Sequence, residues 1–110
     1  MSDFCFFFCQ GKPEQPSNVS FGNVTFREAT LSWTAGFDGG DMQYFTINYK
    51  RTIDDKWISF SVSSDKTLKG TKLYHTLRGL LPKTSYDVIL EATNRHGSSN
   101  MSFQLTTEGK

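Results

Sequence analysis

The sequence predicts an all-β fold, a seven-stranded antiparallel sandwich of two sheets. Three observations support this prediction. Short segments alternate apolar and polar residues, which is the pattern of a half-buried strand. Glycine, aspartate, asparagine and serine separate these segments, and aromatic residues make up 15% of the chain. No window carries the apolar stripe of an amphipathic helix, and 110 residues suffice for one domain with a buried core.

The predicted strands follow one another between turn-forming residues. The polar stretch "KPEQPSN", residues 12–18, leads into a first strand near Val19–Phe21. Side chains at alternate positions of a strand point to one face. The remaining strands are predicted from Ala29, Leu31 and Trp33; Phe45, Ile47 and Tyr49; the run 57–62; Leu73, His75 and Leu77; Tyr86, Val88, Leu90 and Ala92; and Met101, Phe103 and Leu105.

The first twelve residues, "MSDFCFFFCQGK", are predicted to be a flanking segment outside the fold, followed by the domain at 13–108 and a linker at 109–110. The leader does not fit a secretory signal, because it carries Asp3 and its apolar run is short. The same run is too short to span a bilayer. Cys5 and Cys9, the only cysteines, cannot complete a tetrahedral metal site without further ligands nearby.

Charge and polar residues argue against several function classes. A net charge of +1 and a pI near 7.8 favour neither nucleic acid nor an acidic membrane surface as a partner. His75 alternates with leucines and is expected to be half-buried, whereas His96 lies in a turn. Asp54 and Asp55 are interpreted as a polar hairpin tip. Without a nucleophile, base and orienting group in one motif, the chain is predicted to be non-catalytic.

The loop "GFDGGDMQ", residues 36–43, contains two adjacent glycines between two aspartates. Phosphate binding would need a strand–loop–helix, and calcium would need six or more oxygen ligands. Neither pattern is present, so a bend is predicted: glycine tolerates positive φ, and Asp38 and Asp41 readily cap turns. Contact between this loop and a protein partner stays open as a less favoured alternative. No cofactor, metal or small-molecule substrate is expected.

These residues together resemble a fibronectin type III domain, an immunoglobulin-like sandwich, over about Pro13–Glu108. The resemblance is carried by Pro16, by "LSW" at 31–33, by "FTINY" at 45–49, by "LRGLLPKTSYDVILEATNRHG" at 77–97 with the two serines after it, and by "TTE" at 106–108. The segment "GLLPKTSY", residues 79–86, is its most specific part. Function does not follow from the scaffold alone.

A narrower likeness concerns the second and third strands and the loop between them. The spacing of Trp33, Gly36–Gly40, Gln43, Phe45 and Tyr49 is similar to that in the membrane-proximal fibronectin type III domains of nephrin-like and related immunoglobulin-superfamily adhesion receptors. One departure is the alanine at position 35, where that group often has proline.

The resemblance implies structural roles for five residues. Tyr86 is expected to form a tyrosine corner, in which its hydroxyl hydrogen-bonds to upstream backbone. Pro82 would help the chain turn from one sheet to the other, and Trp33 would be the largest core side chain. Tyr49 and Leu80 complete this set.

Asn18, Asn23 and Asn100 each begin an Asn-X-Ser/Thr triplet, the acceptor motif for N-glycosylation. Two alternatives stay open. The triplets mark surface asparagines of a secreted chain, or serine- and threonine-rich strands have generated them by chance. Each site requires its asparagine to face solvent.

Exposed residues in the loops and on one sheet face are predicted to contact a partner. In such a sandwich the third, fourth, sixth and seventh strands share a sheet, and an aromatic cluster on its outer face would suit a partner site. Ile58 and Phe60 crowd the fourth strand beside a tryptophan, whose packing over the sheet edge is the favoured alternative. The candidate contacts are Phe37, Asp38, Tyr44, Trp57, Arg95 and His96.

The resulting functional hypothesis is a non-catalytic extracellular module for protein interaction and spacing, within a cell-adhesion molecule or receptor ectodomain. Its partners would be an adhesion or receptor protein and neighbouring tandem domains, and the parent chain would be membrane-anchored. The alternatives are an intracellular, cytoplasmic repeat of a giant muscle-type protein and an accessory module of a secreted hydrolase. A core without cysteine fits either compartment.

Overall fold

The computed structural model describes residues 10–62 and 68–110. Its strands are β1 (Ser17–Gly22), β2 (Ala29–Thr34), β3 (Tyr44–Arg51), β4 (Ile58–Val62), β5 (Lys72–Leu77), β6 (Ser85–Asn94) and β7 (Gly97–Thr106). They form a three-stranded sheet in the order β1-β2-β5 and a four-stranded sheet in the order β4-β3-β6-β7, with antiparallel pairing throughout. The predicted two-sheet sandwich is confirmed, including the four strands expected to share a sheet.

Two predictions concern the ends of the chain. Cys5 and Cys9 lie outside the described residues, and the domain boundary at residue 12 stays a prediction. Within the described part, Gly11 already contacts the sandwich, since its N–H donates to the carbonyl of Gly39 at 2.9 Å. In residues 10–62 and 68–110, no helix is long and apolar enough to cross a membrane.

Alternate residues of the central strands build the core. Along β2 and β6 every second side chain is buried, and the intervening ones face solvent or are half-buried. Trp33 is 1% exposed and meets the fully buried Phe45 edge to face, with ring centroids 5.5 Å apart. Because these two rings belong to different sheets, their contact joins the layers, and aromatic pairs of this geometry add about 0.5–1.5 kcal/mol beyond area burial.

The connection between β5 and β6 crosses from one sheet to the other, and side chains hold it. The N–H of Leu81 donates to the hydroxyl oxygen of Tyr86 at 2.8 Å. The hydroxyl of Thr107 donates to the carbonyl of Leu81 at 2.6 Å, and the N–H of Thr84 donates back to that hydroxyl oxygen at 2.9 Å. Leu80 is buried beneath this corner, and its N–H donates to the carbonyl of Arg27.

The large side chains of the edge strand β4 do not lie on the outer face, where one of the two alternatives from the sequence had an aromatic cluster. Phe60 pairs with Ile47 and therefore points inward, as does Ile58 opposite Tyr49. The ring of Phe60 stacks on His75 with centroids 4.0 Å apart, across the open side between β4 and β5. The outer-face alternative therefore does not include these two residues, because strand register decides which face a side chain occupies.

Candidate protein-interaction surface

One end of the sandwich gathers the loop 35–43 between β2 and β3, the loop 95–96 between β6 and β7, and the segment 10–15 that precedes β1. We call this region the loop end. It contains four of the six predicted contact residues in its two loops, and Tyr44 begins the strand that leaves it.

The glycine pair shapes the loop end. Gly39 has a φ of +79°, and a Cβ at this position would lie 2.2 Å from the carbonyl oxygen of Gly11. Only glycine therefore permits both the turn and the close approach of the incoming chain. Gly40 has a φ of +90°, and its N–H donates to the side chain of Asp38 at 2.9 Å. The loop makes the bend expected from the sequence, with Asp38 capping the turn.

Asn94 connects the two loops to the preceding segment. Its side-chain amide donates to the carbonyl oxygens of Gly11 at 2.7 Å and Asp38 at 2.8 Å. Its side-chain oxygen accepts a hydrogen bond from the N–H of His96 at 2.7 Å. The residue is 5% exposed, so it is an internal brace for the surface residues. An asparagine just before a glycine-containing turn was the only sequence signal for this role.

Charged side chains on the outside of the loop end pair with one another. The Arg95 guanidinium Nε lies 2.5 Å from the Asp41 carboxylate, and His96 Nε2 lies 3.5 Å from the same oxygen. The Arg95 side chain is 74% exposed, so this pair contributes little to stability. A partner can therefore recruit Arg95 at small cost to the fold. The sequence singled out Asp41 as a turn residue but not its pairing with Arg95 and His96, because these partners are distant in sequence.

Exposed apolar side chains surround these charges. Phe37 is 43% exposed, Met42 is 73% exposed and Tyr44 is 50% exposed. Beneath them, the buried Gln43 donates to the carbonyl of Gly36 at 3.0 Å. Aromatic residues, methionine and arginine are the residue types that protein interfaces enrich. The loop end thus combines a braced backbone with an interface-like surface.

The structure does not bring Trp57 into this surface. Trp57 lies near Lys50. Lys50 is six residue steps along β3 from Tyr44, which at about 3.4 Å per step is a distance of about 20 Å. The Lys50 ammonium is 5.1 Å from the centroid of the Trp57 ring. The ring is 42% exposed and borders a shallow groove with Ile89 and Gln104 on the outer face of the four-stranded sheet.

A carboxylate under this groove organises the polar side chains. Asp87 accepts hydrogen bonds from Gln104 Nε2 at 3.3 Å, Lys50 Nζ at 3.3 Å and Thr52 Oγ1 at 3.2 Å. These donors, Gln104 foremost, hold the pKa of the Asp87 carboxyl below its usual range. The bond to Asp87 places Lys50 where its charge also faces the Trp57 ring.

No part of the described chain forms a candidate metal site, since residues 10–62 and 68–110 hold no group of three or more histidine, cysteine, aspartate or glutamate side chains. All three glycosylation candidates, Asn18, Asn23 and Asn100, are exposed. Asn18 and Asn23 have φ values of 52° and 51°, a conformation that asparagine tolerates better than most residues. Their glycosylation stays a prediction.

The domain is a seven-stranded sandwich in which a tyrosine is hydrogen-bonded across the β5–β6 corner and loops gather at one end. These features define the immunoglobulin-like class of structural and binding domains. The sequence profile of the fibronectin type III domain matches residues 14–108. The chain is a member of that family, as the sequence motifs predicted.

Its relatives include adhesion proteins. The chain is 31% identical to nephrin of Mus musculus over 103 residues, 32% identical to nephrin of Homo sapiens, and 30% identical to the cell adhesion molecule DSCAM of Gallus gallus over 96 residues. These matches cover 89%, 89% and 86% of this chain, but only 8%, 8% and 5% of the relatives. The chain thus spans less than a tenth of their length. The predicted likeness to nephrin-like adhesion receptors is confirmed.

Solved structures agree on the fold. The FN1–FN3 domains of chicken CNTN1 superpose with a TM-score of 0.69 at 21% identity, covering 87% of this chain and 32% of that one. A redesigned β-sandwich protein gives a TM-score of 0.69 at 22% identity, covering 87% and 96%.

Proposed function

We propose that this domain is a non-catalytic module for protein interaction and spacing in the extracellular part of a membrane-anchored cell-adhesion molecule or receptor. The loop end is its contact surface for a protein partner or a neighbouring tandem domain. Membership of the fibronectin type III family and the relation to nephrin and DSCAM support this proposal.

The attachment of the segment 10–15 carries the argument. Besides its bond to Gly39 and the bond from Asn94, this segment donates the N–H of Glu14 to the carbonyl of Phe37 at 2.9 Å. In addition, the carbonyl oxygen of Pro13 accepts a hydrogen bond from the Ser99 hydroxyl at 2.5 Å. The direction in which the chain enters the domain is therefore held against both loops.

In this proposal, a neighbouring domain on the amino-terminal side contacts the loop end near Phe37, whose carbonyl accepts the bond from Glu14. A neighbouring domain that contacts a rigid surface loses less conformational freedom on binding than one attached through a flexible linker. The geometry thus favours a defined angle between domains and a contact built on the exposed aromatic and arginine side chains, which dominate binding energy in many interfaces.

Site-specific photo-crosslinking on intact cells tests the proposal. A photoreactive phenylalanine replaces Phe37 in the chain displayed at the cell surface. The matched control replaces Ile53, which is 81% exposed at the β3–β4 hairpin, on the opposite end of the sandwich. We expect crosslinked adducts from position 37, reduced by Arg95→Glu, and few from position 53.

Equal crosslinking from both positions, or adducts from position 53 alone, would contradict the assignment of the loop end. A cytoplasmic repeat is distinguished by its fate in a secretory host. The extracellular proposal expects folded, secreted protein that carries glycan. Secreted protein without glycan at any of the three asparagines would count against it.

A further inference from the structure

The outer face of the three-stranded sheet carries a second feature next to the loop end, since Thr34 of β2 directly precedes the loop 35–43. A groove of about 490 Å³ crosses this face, lined by Asn18 of β1, Ser32 and Thr34 of β2, and Lys72 and Tyr74 of β5. Its volume lies within the range of small-molecule sites. The register pairs Ser32 with Tyr74 and Thr34 with Lys72, so these side chains share one face.

Tyr74 is the conspicuous residue of this groove. Its side chain is 74% exposed in the middle of a strand, although the face around it consists mainly of short hydroxyl side chains. Two pairs of these hydroxyls bond across the strands, Ser20 with Ser32 at 3.2 Å and Thr30 with Thr76 at 2.9 Å. The face thus consists of short hydroxyl side chains, while the lining of the groove itself is mainly apolar and includes one open aromatic ring.

A bulge in β1 presents Asn18 to this groove. Ser17 pairs with Thr34 and Ser20 pairs with Ser32, so two residues of β1 oppose the single residue Trp33. Val19 packs against the core, and Asn18 is exposed on the other side. Asn18 also begins the triplet Asn18-Val19-Ser20, and of the three acceptor asparagines it is the one that lines this groove.

We infer that Asn18 is N-glycosylated and that the first sugars of its glycan lie in this groove against the ring of Tyr74. The inference rests on the proposed extracellular function, because the modification requires the secretory pathway. In the reaction, the Asn18 amide nitrogen bonds to C1 of the first N-acetylglucosamine of a lipid diphosphate-linked oligosaccharide. The C1–oxygen bond to the lipid diphosphate breaks, the diphosphate leaves, and the amide loses one proton.

The dimensions of the sheet fit this occupant. β1 and β5 flank β2, so they are two strand spacings apart, about 9.5 Å. The asparagine side chain and one or two sugar rings span that distance. The apolar face of a sugar packs on an aromatic ring, while its hydroxyl groups bond to Ser32, Thr34 and Lys72.

A purely conformational role for Asn18 is the competing explanation. The first residue of such a bulge adopts positive φ, which glycine and asparagine tolerate. That role explains the asparagine, and the bond to Ser32 explains the serine two residues later, but neither explains why the exposed Tyr74 lines the same groove. It also supplies a control, because Asn18→Gly keeps the bulge conformation and removes the acceptor nitrogen.

The experiment uses the whole chain secreted from mammalian cells, with glycopeptide mass spectrometry and thermal unfolding before and after an endoglycosidase trims the glycan. We expect Asn18 to be occupied in most molecules, and Ser20→Ala to abolish occupancy at Asn18 alone. Trimming should lower the melting temperature by a few degrees in the parent chain and leave Tyr74→Ser unchanged. Asn18→Gly should remain folded, with occupancy lost at that site only.

Two results would overturn the inference and leave the proposed function standing. The first is glycan at Asn23 or Asn100 with none at Asn18. The second is glycan at Asn18 whose trimming has the same effect with tyrosine or serine at position 74. A secreted chain without any glycan would overturn this inference and would also count against the extracellular proposal.

Discussion

Replacing Tyr86 by phenylalanine removes one oxygen and leaves the buried ring in place. Tyr86 is 5% exposed, and its hydroxyl oxygen accepts the N–H of Leu81 at 2.8 Å. Leaving a buried donor without a partner costs about 1–3 kcal/mol. Because Leu81 is 48% exposed, we expect the lower half of that range, about 1–2 kcal/mol.

For a domain of this size, that loss corresponds to a fall of about 5–10 °C in melting temperature. The assay is urea unfolding followed by tryptophan fluorescence, combined with calorimetry. Tyr44→Phe is the matched control, because Tyr44 is 50% exposed on the outer face, and we expect a change within about 0.5 kcal/mol. If both variants unfold at the same urea concentration, the tyrosine bond does not stabilise the β5–β6 corner and the reasoning fails.

Three further changes probe the loop end and the charged groups. Gly39→Ala should destabilise the domain by more than about 2 kcal/mol, because its Cβ would clash with the backbone of Gly11. Gly70 has a φ of +91° and open space around it, so Gly70→Ala should cost only about 1 kcal/mol. Equal urea midpoints for the two variants would contradict the close approach of the chain at Gly39. Hydrogen bonds lower the pKa of Asp87 and so stabilise the fold above its unfolded pKa of about 3.9, and this benefit is lost as pH falls through the folded pKa. Asp87→Asn should therefore reduce the loss of unfolding free energy in acid, and an equal loss in both proteins would contradict this. Burial, with the nearby Arg78, lowers the pKa of His75, so the free energy of unfolding should fall as pH drops below about 6.5. His75→Gln should remove this pH dependence. A pKa of His75 at or above 6.5 in an NMR titration would contradict the prediction.

The fold was predictable because its main signal is local. Burial with period two in segments such as Ala29, Leu31 and Trp33 depends only on the alternation of side chains along a strand. The family motif around Tyr86 then located the corner between the sheets. The same reasoning left two alternatives open at β4, where Ile58 and Phe60 are large and exposed yet point inward. Exposure at an edge strand depends on which neighbours are missing, and no local pattern records that.

The candidate surface was predictable only in part. The loops with Phe37, Asp38, Arg95 and His96 were expected to meet a partner, and the structure places them at one end. Asn94 and its bond to Gly11, 83 residues away in sequence, could not be predicted, because such a contact depends on the packing of the two sheets. Trp57, from the same predicted set, lies on a different part of the surface.

The order of apolar and polar residues by itself determined an all-β sandwich, its strands and its corner, because these follow from short-range alternation and turn chemistry. Which distant residues meet was decided only when the two sheets packed. That packing determined the hydrogen bonds between the loop end and the segment 10–15, the stacking of Phe60 on His75, and the groove lined by Asn18 and Tyr74. The physical reason is that strand register and sheet stacking are collective properties, fixed by the whole core at once.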